Sequence, residues 1–122
     1  MKNSEFAEEI QKRTKKFAIR VILMYKELPK TDDARIIGRQ LLKAATSVAS
    51  NYKAACRARS DNEFYSKLSI VVEEAVESVF WMEILEESNI FKLDKELYNE
   101  ANEILSVMSR SRKTLRNRLF NS

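Results

Sequence analysis

The side chains in this sequence with chemical reach are arginines, lysines and glutamates, and they are unevenly placed. At about 100° per residue, Arg35, Arg39, Lys43, Lys53 and Arg57 fall within about a quarter of a helical circumference, with Thr46 and Ser50 between them. This is a basic stripe roughly 33 Å long at 1.5 Å rise per residue. A second basic run, Arg110, Arg112, Lys113, Arg116 and Arg118, lies near the end of the chain. Cations so spaced can follow a phosphate backbone, although few aromatic side chains lie along the stripe to stack on bases. The same residues also suit a solvated face, and cations are favoured at a helix C-terminus.

The acids cluster elsewhere. Glu73, Glu74 and Glu77 sit within about one turn of each other. Paired carboxylates can act as general acid and base, or as metal ligands in a helix bundle. The chain has no histidine, so it lacks both the usual general base and the Glu-x-x-His pattern of di-metal bundles. It has one glycine, Gly38, and so no glycine-rich phosphate loop. Tyr52, Tyr65 and Ser47 have no partner that would activate them. Cys56 is the only cysteine, which excludes an intramolecular disulfide, and among alanines it reads as a small buried hydrophobe. The expectation is a non-enzymatic protein without cofactor or metal.

These residues must be held by helices. One glycine and one proline in 122 residues are too few for a strand-rich fold, and a 33% charged, 44% hydrophobic composition is that of long helices around a core. The length suits one domain over residues 1–122. A first helix is predicted from about Asn3 to Leu28, capped by Asn3 or Ser4, with Phe6, Ile10, Phe17, Val21, Met24 and Leu28 on one face. Its run from Ala18 to Met24 is apolar nearly all round and reads as buried helix. Pro29 stops it. A second helix runs from a Thr31 or Asp32 cap to about Arg59, on Ile37, Leu41, Ala44, Val48, Tyr52 and Ala55. Small neighbours such as Ala45 and Ala49 allow close backbone approach.

The third helix, Ser60 to Ser88, opens on the capping box Ser60-Asp61-Asn62-Glu63. Phe64, Leu68, Val71, Val72, Ala75, Val79 and Met82 form its apolar stripe. A second face holds Ile70, Glu74, Glu77, Trp81 and Leu85. Acids beside large hydrophobes suit a subunit contact, and these five residues are the predicted interface. In a ring, Arg35 or Arg39 of one copy could meet Glu74 or Glu77 of the next, or such pairs could close within one chain. Asn89 suits a left-handed helix end, and Asp94 caps a fourth helix on Leu97, Ala101, Ile104, Met108, Ser111, Leu115 and Leu119. Four such segments with short connections predict an all-α, antiparallel up-down-up-down four-helix bundle.

The formal net charge of +4 permits nucleic-acid binding without demanding it. No run approaches the roughly 18 apolar residues of a membrane span, and Met1 to Phe17 is too charged for a secretory signal. A cytoplasmic protein with no membrane partner is expected.

Several stretches also resemble a bacterial family of four-helix-bundle proteins encoded in intervening sequences of large-subunit ribosomal RNA genes. They are Gln40 to Tyr52, Ala58-Arg59-Ser60, Glu63-Phe64, Lys67-Leu68, Glu74-Ala75 with Glu77, Phe80 to Leu85, and Leu28-Pro29-Lys30. The resemblance spans nearly the whole chain. It implies a bundle that assembles into a ring, typically a homopentamer. A more distant similarity is to the accessory variability protein of diversity-generating retroelements, which implies a basic barrel that engages RNA and a reverse transcriptase. The chain departs from the family at Ala54, where a glutamate is usual.

The expected function is therefore that of a homo-oligomeric RNA- or DNA-binding accessory or scaffold. Its candidate phosphate contacts are Arg35, Arg39, Lys43, Lys53, Arg57, Arg110, Arg112, Lys113 and Arg116. The alternative is a protein-interaction scaffold that binds no nucleic acid.

Overall fold

The computed structural model describes residues 4–121, which fold into four helices and no strand. They are α1 (Ser4–Tyr25), α2 (Asp32–Ala55), α3 (Asp61–Glu87) and α4 (Lys95–Phe120). The alternative cap Asn3 lies outside the described residues. Each later helix starts at a side chain that satisfies a free amide. The Thr31 hydroxyl accepts from the Ala34 amide at 3.4 Å and donates to the Asp33 carboxylate at 2.6 Å. The Thr31 hydroxyl and the Ala34 amide hold Asp33 below the ordinary carboxylate range. Ser60 accepts from the Glu63 amide at 3.1 Å, while Glu63 reaches one residue further back than a strict capping box, to the Arg59 amide at 3.2 Å. Asp94 accepts from the Glu96 amide at 3.0 Å.

The ends are equally local. α1 stops at Tyr25, and residues 26–28 continue as a turn before Pro29. α2 stops at Ala55, four residues short of the predicted Arg59, because Arg57 and Ala58 close tighter three-residue turns onto Ala54 and Ala55. Asn89 adopts φ 62°, the left-handed conformation that lets the Ile90 and Phe91 amides return to the Leu85 carbonyl.

Each helix packs against its sequence neighbours. α2 and α3 share the most extensive contact, α1 and α4 the sparsest, and the diagonal pairs α1–α3 and α2–α4 do not meet. This is the antiparallel up-down-up-down bundle. Phe17, Val21, Leu41, Val48, Leu68, Val71, Met82, Leu85, Met108 and Leu115 fill its core. Thr14 is buried on the apolar face of α1, its hydroxyl donating to the Ile10 carbonyl at 3.0 Å. Gly38 is where α2 meets the end of α1: a Cβ there would lie 2.6 Å from Leu28 Cδ1 and 3.0 Å from the Tyr25 ring. Its missing side chain is filled by those neighbours, as its place inside a helix suggests.

Three expectations of burial fail. Phe6, expected on the inward face of α1, is exposed near the open end of the bundle. The run from Ala18 to Met24 is not buried all round: Ile19, Ile22 and Leu23 point outward. A helix at a bundle corner has only one inward face, and Phe17, Val21 and Met24 occupy it. Leu85 is not on an outer face of α3 but fully buried, because it continues the stripe from Ser78 and Met82 at helical spacing.

Candidate functional site

Antiparallel packing brings the ends of α2 and α4 and the starts of α1 and α3 to one end of the bundle. A small cleft there is lined by Phe6, Tyr52, Phe64, Ser111, Thr114, Leu115 and Arg118, from all four helices. The same end carries Lys53 of α2, Arg57 and Arg59 of the connection, and the cationic end of α4, which has no acid after Met108. Two basic runs more than fifty residues apart in sequence thus share one end. α1 contributes Glu5, Glu8 and Glu9 there, and the first turn of α3 contributes Asp61 and Glu63.

The cations differ in what they are free to do. Arg112 is half-buried. It donates from Nε to Ser69 Oγ at 2.7 Å, and its guanidinium lies 4.8 Å from the Tyr65 ring centre. Phe120 meets the same ring edge-on at 5.5 Å. Arg112 therefore fastens α4 to α3 and offers little to a ligand. Arg118 lies 3.6 Å from Asp61, and Arg110 donates to Ser106 Oγ at 2.6 Å. Lys53, Arg57, Lys113 and Arg116 are exposed and form no ion pair with the described residues.

Higher on α2, Arg39 and Lys43 are exposed, whereas Arg35 is held by Asp32 at 2.6 Å within the first turn. Arg35 stands at the opposite end of α2 from Arg57, so the stripe is long rather than clustered. Lys43 faces Glu74 closely enough to oppose the upward shift of its carboxyl. That shift comes mainly from burial, then from Glu77 and Glu73. Within one chain it is thus Lys43 of α2 that stands near Glu74, without closing an ion pair with it.

The outer face of α3 keeps Ile70 and Glu77 exposed and Trp81 half-buried against the core edge. Trp81 Nε1 donates to Glu77 at 3.4 Å, and Phe80 meets the indole edge-on at 4.9 Å. Two members of this face were missed in the sequence: Phe80 and Val76, which are 48% and 49% exposed. Their spacing from Glu73 and Glu77 was the available signal.

Among the described residues no group of three or more acidic or cysteine side chains is placed to hold a metal ion, so Glu73, Glu74 and Glu77 do not converge. Cys56 sits half-buried just past α2, not within it. Burial, with Cys56 beside it, raises the Tyr52 phenol far above its ordinary pKa. A cleft of about 660 Å³ lies between the end of α3 and the start of α4. Two of its three acids are in use: Glu86 accepts from the Leu93 amide at 2.9 Å and Glu83 from the Tyr98 hydroxyl at 2.7 Å. Among the described residues no helix is long and apolar enough to cross a membrane.

Fold and surface together define a four-helix bundle with a cationic end. Residues 7–110 match the 23S rRNA-intervening sequence protein family, and the chain belongs to that family. It is also similar to a crystal structure from Bacteroides thetaiotaomicron, described as a protein of unknown function from the S23 ribosomal protein family. The two share 26% identity and a TM-score of 0.80, over 88% of this chain and 97% of the other. No curated protein matches the chain significantly.

Proposed function

We propose that this protein is a non-enzymatic, homo-oligomeric RNA-binding accessory or scaffold that grips phosphates with Lys53, Arg57, Lys113 and Arg116, extended along α2 by Lys43 and Arg39. The observation that supports this most is that Lys53 and Arg57, and at the diagonal corner Lys113 and Arg116, stand at the same end of the bundle, exposed and in no ion pair with the described residues. Each copy offers a modest patch. A ring, such as the pentamer that the resemblance implies, would multiply weak contacts into avid binding. The family's tie to intervening sequences of ribosomal RNA favours RNA over DNA as the ligand.

Filter binding of a structured RNA across a salt series tests the reading. Binding should weaken steeply with salt, by roughly one power of salt concentration per phosphate neutralised. Lys53→Glu/Arg57→Glu and Lys113→Glu/Arg116→Glu should each weaken it at low salt with helicity intact. No binding at low salt ends the proposal. A second reading, a scaffold for a protein partner such as a reverse transcriptase, draws on the exposed apolar face of α3. It is favoured if Arg39→Glu/Lys43→Glu breaks the assembly, and disfavoured if that variant loses only RNA.

A further inference from the structure

Two helices at diagonal corners of the bundle carry matched outer faces. From Lys12 to Lys26, α1 and the residue just past its end bear six cations and no acid; from Glu73 to Glu87, α3 bears six acids and no cation. Both stretches span 15 residues. Each has large apolar side chains at its outer centre: Ile19, Ile22 and Leu23 on α1, and Val76 and Phe80 beside Trp81 on α3. Arg13 and Arg20 are spent on α4, pairing with Glu100 and with Asp94 and Glu96. Lys12, Lys15, Lys16 and Lys26 remain exposed, with no ion pair to any described residue.

We propose that the lysine-flanked apolar face of α1 docks on the glutamate-flanked apolar face of α3 of a second copy of this chain. This rests on the homo-oligomer proposed above and names the surfaces that build it. Three observations carry it. The charges are complementary, which steers the two faces together and sets like against like in the α1–α1 and α3–α3 alternatives. The faces cannot satisfy each other within one chain, because α1 and α3 sit diagonally and do not touch. They also stand at overlapping heights: α1 and α3 run in the same direction, and neighbouring residues of α4 reach both, Glu100 to Arg13 and Tyr98 to Glu83.

The last point decides the symmetry. Rotation about an axis parallel to the bundle preserves height, so α1 of one copy can reach α3 of the next without sliding along it. Each copy then uses one face and presents the other, a head-to-tail contact that closes into a ring when the rotation divides the circle. The outward Ile19, Ile22 and Leu23, unexplained by the fold of one chain, become half of an interface core ringed by charge.

The experiment is a charge swap read by light scattering. The α1 set is Lys12→Glu/Lys15→Glu/Lys16→Glu, and the α3 set is Glu73→Lys/Glu77→Lys/Glu87→Lys. All six side chains are exposed, so circular dichroism should be unchanged. The native protein should run as a multiple of 14.2 kDa. Each set alone should bring the mass toward that of one chain. A chain that carries both sets should restore a multiple, because its reversed α1 then meets the reversed α3 of the next copy whatever the number of copies in the ring. Trp81, the sole tryptophan, should emit further to the blue in that chain than in either set alone. A native protein at 14.2 kDa overturns the oligomer itself. An oligomeric native protein whose mass either set leaves unchanged, or a chain with both sets that fails to reassemble, overturns the α1–α3 pairing while leaving the RNA-binding assay unaffected.

Discussion

Arg13 and Glu100 meet across the seam between α1 and α4 in a two-pronged ion pair, 2.7 Å from Nε to one carboxylate oxygen and 2.9 Å from Nη2 to the other. The hydrogen bond to Glu100 is the main reason the guanidinium holds its proton even more firmly than usual. This seam is the thinnest contact in the bundle. Glu100→Gln should therefore lower stability by about 1 kcal/mol at low salt, as for a well-aligned, partly exposed pair, and by less as salt screens it. A double-mutant cycle with Arg13→Gln, followed by denaturant melts, measures the coupling. A coupling near zero would show that apolar packing alone holds the seam.

Glu74 gives a pH signature. Burial, Glu77 and Glu73 raise its pKa in that order, and Lys43 opposes them. A carboxyl raised on folding favours the native state while protonated, and that advantage is lost as pH climbs through the raised value. Glu74→Gln should thus raise the melting temperature at pH 7 and leave it nearly unchanged at pH 3, below the ordinary carboxylate pKa of about 4.3. An equal gain at both pH values would refute the electrostatic origin.

Gly38→Ala sets two effects against each other. Alanine improves helix propensity by about 1 kcal/mol. Its Cβ, however, would lie 2.6 Å from Leu28 Cδ1, a buried side chain with little room to move. Overpacking of this kind costs about 1–3 kcal/mol, so the variant should be net destabilised in thermal melts. A more stable protein would mean that Leu28 and Tyr25 can swing clear.

Leu85 and Trp81 separate core from interface. Leu85→Ala opens a cavity in a fully buried site and should cost about 2–5 kcal/mol, with the assembly mass unchanged while the protein stays folded. Trp81→Ala removes the half-buried anchor of the α3 outer face and should lower the assembly mass more than it lowers the melting temperature of the chain. Melts paired with light scattering read both quantities. Identical behaviour of the two variants would place Trp81 in the chain's own core.

Most of the architecture was legible because it follows from spacing. Leu68, Val71, Ala75 and Met82 announce an inward stripe, and Thr31, Ser60 and Asp94 mark helix starts by chemistry that acts within three residues. The α2 boundary was less legible, since nothing in Cys56 to Arg59 forbids another helical turn and only the packing of the connection ends it. The site was legible in kind but not in detail. The basic residues were visible, but which ones the fold employs depends on contacts far apart in sequence. Arg112 is tied to α3 by Ser69 and Tyr65, residues more than forty positions away. Leu85 was placed outside because its acidic neighbours suggested a wet face, while its phase relative to Met82 points inward. The outward turn of Ile19, Ile22 and Leu23 was hidden by a run so apolar that it gives no phase of its own.

The short connections have a kinetic consequence. Every extensive helix contact joins sequence neighbours, so nearly all the chain's pairing is local and little loop-closure entropy stands in its way. Stopped-flow refolding should be fast for a protein of this length. The one distant contact, between first helix and last, is the sparsest, so docking of α4 on α1 completes the native structure late and adds little to the barrier. During synthesis, α1, α2 and α3 can form most of their mutual contacts while α4 is still emerging from the ribosome.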